Sequence, residues 1–264
     1  GIWGMGGIGK TYITQLICEE LQYEFKNTYF FSDVRDKWKH HNSVTSEAKE
    51  MRMENDNKKL LLVIDDVNHV NQLHAICGSC EWFGKGSRII ITTRDFHLLR
   101  AFQVDHVYTM KNLTYHESLQ LFSRKAFQQE TPEGEFIQLS TRIVECTEGL
   151  PLAFEVLGSI LHGQSLRQWV DSDLMKLRTD LPHQIYDKLK LSFDSLDGNE
   201  KEIFLNVLLF YIGEDIYEVI QKLEARGCRT RFGIRALVFQ SLVTIDKHDK
   251  LRMHNLLQLM GRQI

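Results

Sequence analysis

The feature that most constrains this chain lies at its start: Gly4-Met5-Gly6-Gly7-Ile8-Gly9-Lys10-Thr11. The spacing is Gly, four residues, then Gly-Lys-Thr, the pattern of a phosphate loop. Glycines let the backbone take positive φ and wrap closely around a phosphate, and the wrapped N–H groups form an anion nest. A helix starting near Lys10 adds the positive end of its dipole. Lys10 can then reach the β- and γ-phosphates, and the Thr11 hydroxyl can ligate Mg²⁺. The same letters carry two rivals. Gly4-x-Gly6-x-x-Gly9 fits the dinucleotide fingerprint, with Asp33 near the expected spacing of about 20 residues further on. A plain turn is the other. Lys10-Thr11 favours the phosphate loop, because a dinucleotide site has no need of a lysine and a hydroxyl there.

A second signal is Leu60-Leu61-Leu62-Val63-Ile64-Asp65-Asp66. Five consecutive apolar residues fit a strand buried on both faces, as in parallel sheets. Ligands of such sheets sit at the carboxyl ends of the strands, so the two carboxylates fall where the phosphate loop falls. Asp65 is expected to serve Mg²⁺ and Asp66 to orient an attacking water; a helix cap or solvated strand end is the plain alternative. Ser87–Thr93 reads as another buried strand, with Ile89, Ile90 and Ile91 consecutive. It ends at Arg94, which can sense a terminal phosphate or simply pair with Asp95. Strands are also expected at 1–3, 28–31 and 106–110, and helices at 10–23 and 70–76. The polar stretch 36–59 reads as a surface loop with one short helix at most. Its basic cluster of Lys37, Lys39, His40 and His41 reads as a solvated face.

After Asn112 strand-like runs stop and amphipathic helices follow, marked by Leu119, Phe122 and Phe127, by Phe136, Leu139, Ile143 and Val144, and by Trp169, Leu174 and Leu177. Between the last two sets Gly149-Leu150-Pro151 breaks the pattern, and Pro151 suits the first turn of a buried helix through Leu161. Further helices are expected over 182–191, 200–210, 216–226 and 232–240. Two short strands, 242–245 and 250–253, and a final helix after His254 complete a winged-helix pattern. Such modules often bind DNA. Here Arg229, Arg231 and Arg235 are the only local basic cluster and acids dilute it; with a net charge of −3, nucleic acid is not the expected partner. Five cysteines without regular spacing do not form a disulfide framework, and Cys77-Gly-Ser-Cys80 reads as incidental. No apolar run approaches the ~20 residues that span a bilayer. No signal peptide is visible, and Gly1 falls inside a strand, as in an excised fragment.

In order along the chain, these motifs resemble the NB-ARC region of plant disease-resistance proteins, most closely the class with a Toll/interleukin-1-receptor-like domain upstream. Gly4–Thr11 matches the phosphate loop and Leu60–Val67 the second kinase motif. Trp82–Asp95 is similar to the strand-four motif, Gly149-Leu-Pro-Leu-Ala153 to GLPLA, and Phe204–Gly213 to the motif around FLDIACFF. Met253-His254-Asn255 matches MHD except at its last position.

The resemblance implies an α/β P-loop NTPase fold of STAND/AAA+-like type with a parallel sheet, then a four-helix bundle and a winged helix. The implied domains are 1–112, 113–180 and 181–264. It implies a switch held off by ADP and turned on by ATP, with slow hydrolysis at most, in a cytoplasmic and also nuclear protein that self-associates on activation and carries C-terminal leucine-rich repeats. Carried onto this chain, Met5, Gly6, Gly7, Ile8, Gly9, Lys10, Thr11 and Tyr12 hold the nucleotide, and Thr11 and Asp65 serve Mg²⁺. Arg94 lies near the terminal phosphate, Pro151 and Leu152 near the adenine, and His254 reaches the ADP β-phosphate. Other readings stay open: an ordinary ATPase, a DNA-binding winged-helix regulator, or a degenerate family member that no longer switches. Asn255 replaces the family's aspartate, which predicts a weaker off state that Asn255→Asp would restore as longer ADP retention. The 36–59 segment is shorter than the family's, Tyr12 stands where a small or hydroxyl residue is common, and Leu208-Leu209 replaces Ala-Cys.

Overall fold

Strand β3, Leu60–Val67, is the spine of the first unit: Leu60 through Ile64 are all fully buried. A computed structural model describes residues 1–38, 42–55, 58–78, 82–171, 180–225 and 229–264. Chain contacts divide them into two units, one of 1–4 with 9–110 and one of 5–8 with 111–264. In the first, β3 pairs with β2 (Asn27–Phe31) on one side and β4 (Arg88–Thr93) on the other. β1 (Ile2–Trp3) and β5 (Tyr108–Thr109) complete a parallel sheet in the order β2-β3-β4-β1-β5. The run of five apolar residues therefore marks a strand covered on both faces.

Helices α1 (Lys10–Leu21), α2 (Val34–Lys37), α3 (Asn42–Glu54), α4 (Val70–Cys77) and α5 (Phe96–Ala101) accompany this sheet. α3 corrects the expectation of a surface loop. Val44, Ala48 and Met51, spaced i, i+4, i+7, are buried in the core with Leu60, Leu62 and Ile64. A stripe of three apolar residues, one of them alanine, suffices because the sheet supplies the rest of the hydrophobic surface. In α1 Leu16 faces outward, and Lys10 and Thr14 are the buried positions. Lys39, His40, His41 and Cys80 lie outside the described residues.

The second unit is helical. α6 (Tyr115–Phe127), α7 (Phe136–Thr147), α8 (Pro151–Leu161) and α9 (Leu166–Asp171) pack around Trp169, whose ring lies 4.9–5.9 Å from those of Phe122, Phe127 and Phe136. Pro151 occupies the first turn of α8. Leu174 and Leu177 lie outside the described residues. α10 (His183–Asp194), α11 (Gly198–Asn206), α12 (Ile216–Glu224), α13 (Thr230–Phe239), the antiparallel pair β6 (Thr244–Ile245) and β7 (Leu251–Arg252), and α14 (Asn255–Arg262) form the winged helix. α11 does not run as an α-helix to Phe210; a π-helical turn, Val207–Tyr211, ends it. Arg231 pairs with Glu224 at 3.4 Å, and Arg235 lies over the Phe239 ring. Among the described residues no helix is long and apolar enough to cross a membrane.

Candidate nucleotide site

Gly9 is the residue before α1 and adopts φ +91, where no side chain can cap the helix. The first N–H groups of α1 thus look out from a turn that only glycine takes without strain. The Lys10 side chain is buried and its Nζ donates to Gly4 O at 2.7 Å, across the loop's own turn. Burial lowers the Lys10 pKa to about 7, helped by the charge of Arg94 and opposed by Asp66 and Asp65. Its charge is poorly solvated there, so an anion would be a welcome neighbour.

At the carboxyl edge of the sheet, Thr11 Oγ1 donates to Asp65 Oδ1 and Oδ2 at 3.0 and 2.9 Å. Thr92 Oγ1 donates to Asp65 Oδ1 at 2.6 Å. Burial raises the pKa of Asp65, and these two hydroxyls hold it down. The two residues predicted to serve Mg²⁺ are therefore in contact. Among the described residues no group of three or more His, Cys, Asp or Glu could hold a metal by itself. One carboxylate and one hydroxyl suit Mg²⁺, which completes its shell with phosphate oxygens and water.

Asp66 sits where the β3–β4 register shifts between Ile64 and Val67. It adopts φ +54, a strained position for a residue with a side chain. Its N–H leaves the ladder and donates to Thr92 Oγ1 at 2.9 Å. Its carboxylate faces two guanidiniums: Arg35 Nε lies 3.1 Å from Oδ2 and Arg94 Nε 3.5 Å from Oδ1. Burial lowers the Arg94 pKa to about 10 against the pull of Asp66. Asp65, Asp66, Lys10, Thr11 and Arg94 are thus gathered at one edge of one sheet. Arg35 and Thr92 belong to the same group and were not expected; only their places just after β2 and at the end of β4 could have pointed to them.

In the second unit, Leu152 N donates to Gly7 O at 3.2 Å, and Gly7 takes φ +81. Met5 and Ile8 are buried. Tyr12, in the first unit, is exposed. Gly149 takes φ +79, and a Cβ there would stand 2.2 Å from Leu113 O. His254 caps α14: its Nδ1 accepts from Leu256 N at 3.2 Å. The neutral ring then carries its proton on Nε2. That nitrogen is buried and has no hydrogen-bond partner among the described residues. Burial lowers the His254 pKa, and nearby Glu148 opposes the shift. Glu148 Oε2 accepts from Asn255 N at 3.0 Å and lies 3.7 Å from His254 Nδ1. The helical bundle therefore places a carboxylate at the first turn of α14, and nothing in the spacing of the sequence marks Glu148 for this.

Comparison with known proteins matches two stretches of the chain. Residues 28–132 match the NB-ARC domain family. Residues 197–264 match the winged-helix domain of Roq1-like disease resistance proteins. Two stretches of the chain thus resemble domains of the disease-resistance type, and the fold is that of a P-loop NTPase with a winged helix. TMV resistance protein N of Nicotiana glutinosa is 37% identical over 100% of this chain and 25% of its own length. Disease resistance protein RUN1 of Vitis rotundifolia is 36% identical over 100% of this chain and 21% of its own. The chain therefore spans about a quarter or less of these relatives. The Walker-type ATPase of Pyrococcus abyssi superposes with a TM-score of 0.52 over 99% of this chain and 90% of that one. At 12% identity this is a likeness of fold alone.

Proposed function

We propose that this chain is the nucleotide-operated switch of a plant intracellular immune receptor, off with ADP and on with ATP. The single observation that carries the reading is the junction of Thr11 and Asp65 beside Lys10 at the carboxyl edge of a parallel sheet. In the proposed site Lys10 and the amides of Met5–Tyr12 hold phosphates, and Thr11 and Asp65 hold Mg²⁺, which would offset charge on the phosphate oxygens. Pro151 and Leu152 line the adenine, and Arg94 answers the terminal phosphate. His254 donates from Nε2 to the β-phosphate in the off state. A buried donor without an acceptor costs roughly 1–3 kcal/mol, and an anionic oxygen supplies what that nitrogen lacks.

Turnover in this scheme is slow. Asp66 is the candidate to orient water, and an aspartate has a shorter reach for that task than a glutamate would. The working parts are the nucleotide-binding domain, 1–112, the helical bundle, 113–180, and the winged helix, 181–264. A ligand shifts such a switch only by its differential affinity for the two states, and ADP bridging His254 and the phosphate loop would supply that difference. In the whole receptor we expect an upstream Toll/interleukin-1-receptor-like domain, C-terminal leucine-rich repeats, self-association on activation, and a cytoplasmic, also nuclear, setting.

The test is the nucleotide content of the purified protein, released by denaturation and separated by anion exchange, beside Lys10→Ala. Near-stoichiometric ADP that is absent from the folded variant is the expected outcome. A folded wild-type protein without nucleotide refutes the reading.

A further inference from the structure

Arg35 has no part in the scheme above. It stands on α2, just after β2, and its side chain is only 9% exposed. Burying a guanidinium is costly unless its donors are matched. Here the match is incomplete. Nη2 donates to Asp66 Oδ1 at 3.4 Å, whereas Nε, 3.1 Å from Oδ2, makes no hydrogen bond among the described residues. Charge-assisted bonds of this kind normally measure about 2.7–2.9 Å, and one carboxylate accepts one bidentate guanidinium well. Asp66 is asked to serve two, since Arg94 approaches Oδ1 as well. Asp65 is engaged by the hydroxyls of Thr11 and Thr92. Asp66 is itself fixed, held at φ +54 with its N–H on Thr92.

A phosphate end group offers three oxygens and a larger charge, and so can satisfy two forked donors where one carboxylate does not. We propose that Arg35 is a second terminal-phosphate-sensing arginine, held with Arg94 on Asp66 and drawn from it by the γ-phosphate. Asp66 then acts as an internal substitute for that phosphate. ADP, which lacks the γ group, leaves the Arg35–Asp66–Arg94 bridge intact, and ATP competes with it. Arg35 thereby contributes to telling ATP from ADP, which is the discrimination a switch needs. This rests on the nucleotide-switch reading.

The experiment measures dissociation constants for Mg²⁺–ADP and Mg²⁺–ATPγS on the nucleotide-stripped protein, for wild type, Arg35→Gln and Arg35→Lys. Arg35→Gln is expected to reduce ATPγS affinity relative to ADP affinity about tenfold, the effect of one charge-assisted hydrogen bond. Arg35→Lys keeps the charge without the fork and is expected to recover part of that ratio. Loss of both affinities in equal proportion, with a lowered melting temperature, overturns the inference and makes Arg35 a structural partner of Asp66. An unchanged ratio in both variants overturns it too. Should Arg35→Gln fail to fold, the ratio in Arg35→Lys decides alone: an unaltered ratio refutes the role. Wild-type protein that binds neither nucleotide removes the switch reading, and this inference with it.

Discussion

Glu148→Ala tests the contact between the helical bundle and α14. In the folded protein Glu148 Oε2 accepts the Asn255 N–H at 3.0 Å, at the positive end of an eight-residue helix. A hydrogen bond to a charged acceptor contributes about 1.5–3 kcal/mol, and a carboxylate at a helix N-terminus about 0.3–1 kcal/mol. Glu148 is 39% exposed, so solvent screening places the total near the low end, about 1–1.5 kcal/mol. The backbone at Glu148 sits at φ +46, and alanine meets the same left-handed penalty, so the substitution reads the side chain alone. Hydrogen exchange of the first-turn amides of α14 measures local opening directly. The Asn255 amide should exchange roughly 5–10-fold faster in Glu148→Ala. Glu148→Gln keeps an acceptor without the charge and should fall between. Unaltered exchange at Asn255 and Leu256 in Glu148→Ala would show that the bundle does not hold this helix through Glu148.

Two further outcomes follow from the geometry. Gly149→Ala forces a Cβ to within 2.2 Å of the Leu113 carbonyl at φ +79; the conformational penalty alone is about 1–2 kcal/mol, the clash adds to it, and urea denaturation should show a loss above ~3 kcal/mol or no folded protein. For pH, burial lowers the His254 pKa in the folded state. The unfolded chain, with its histidine near about 6.5, then binds more protons than the folded one below that value. This contribution to stability is unimpaired above pH ~6.5 and is lost as pH falls from there toward the folded-state pKa, so the midpoint of denaturation should fall more steeply below pH 6.5 in wild type than in His254→Asn; parallel profiles would contradict it.

Much of the fold can be read from the chain because its signals are local. Leu60–Ile64 leave no polar residue to face water, so burial on both faces follows. The loop glycines at φ +81 and +91 announce a turn wherever the strand before them ends. α3 is harder to read: Val44, Ala48 and Met51 stand among charged residues, and their burial depends on a sheet assembled from elsewhere in the sequence. Trp169 is legible as the apolar mark of a helix, but its packing is not, because the three phenylalanines that close on it come from two other helices.

The candidate site divides along the same line. Lys10, Thr11, Asp65 and Arg94 announce themselves because each is tied to a glycine turn or a strand end, and a parallel sheet brings strand ends to one edge. Their pairings are not local. Asp66 reads as a carboxylate beside a nucleotide and a candidate for activating water. It takes its actual partners from α2, just after β2, on one side, through Arg35, and from the end of β4 on the other, through Thr92 and the adjoining Arg94. Both neighbours of β3 must be known before the charge on Asp66 can be assigned. The strand order places a guanidinium on each side of one strained carboxylate, so the charge of Asp66, which the sequence leaves open, is shared between two arginines from opposite sides of β3.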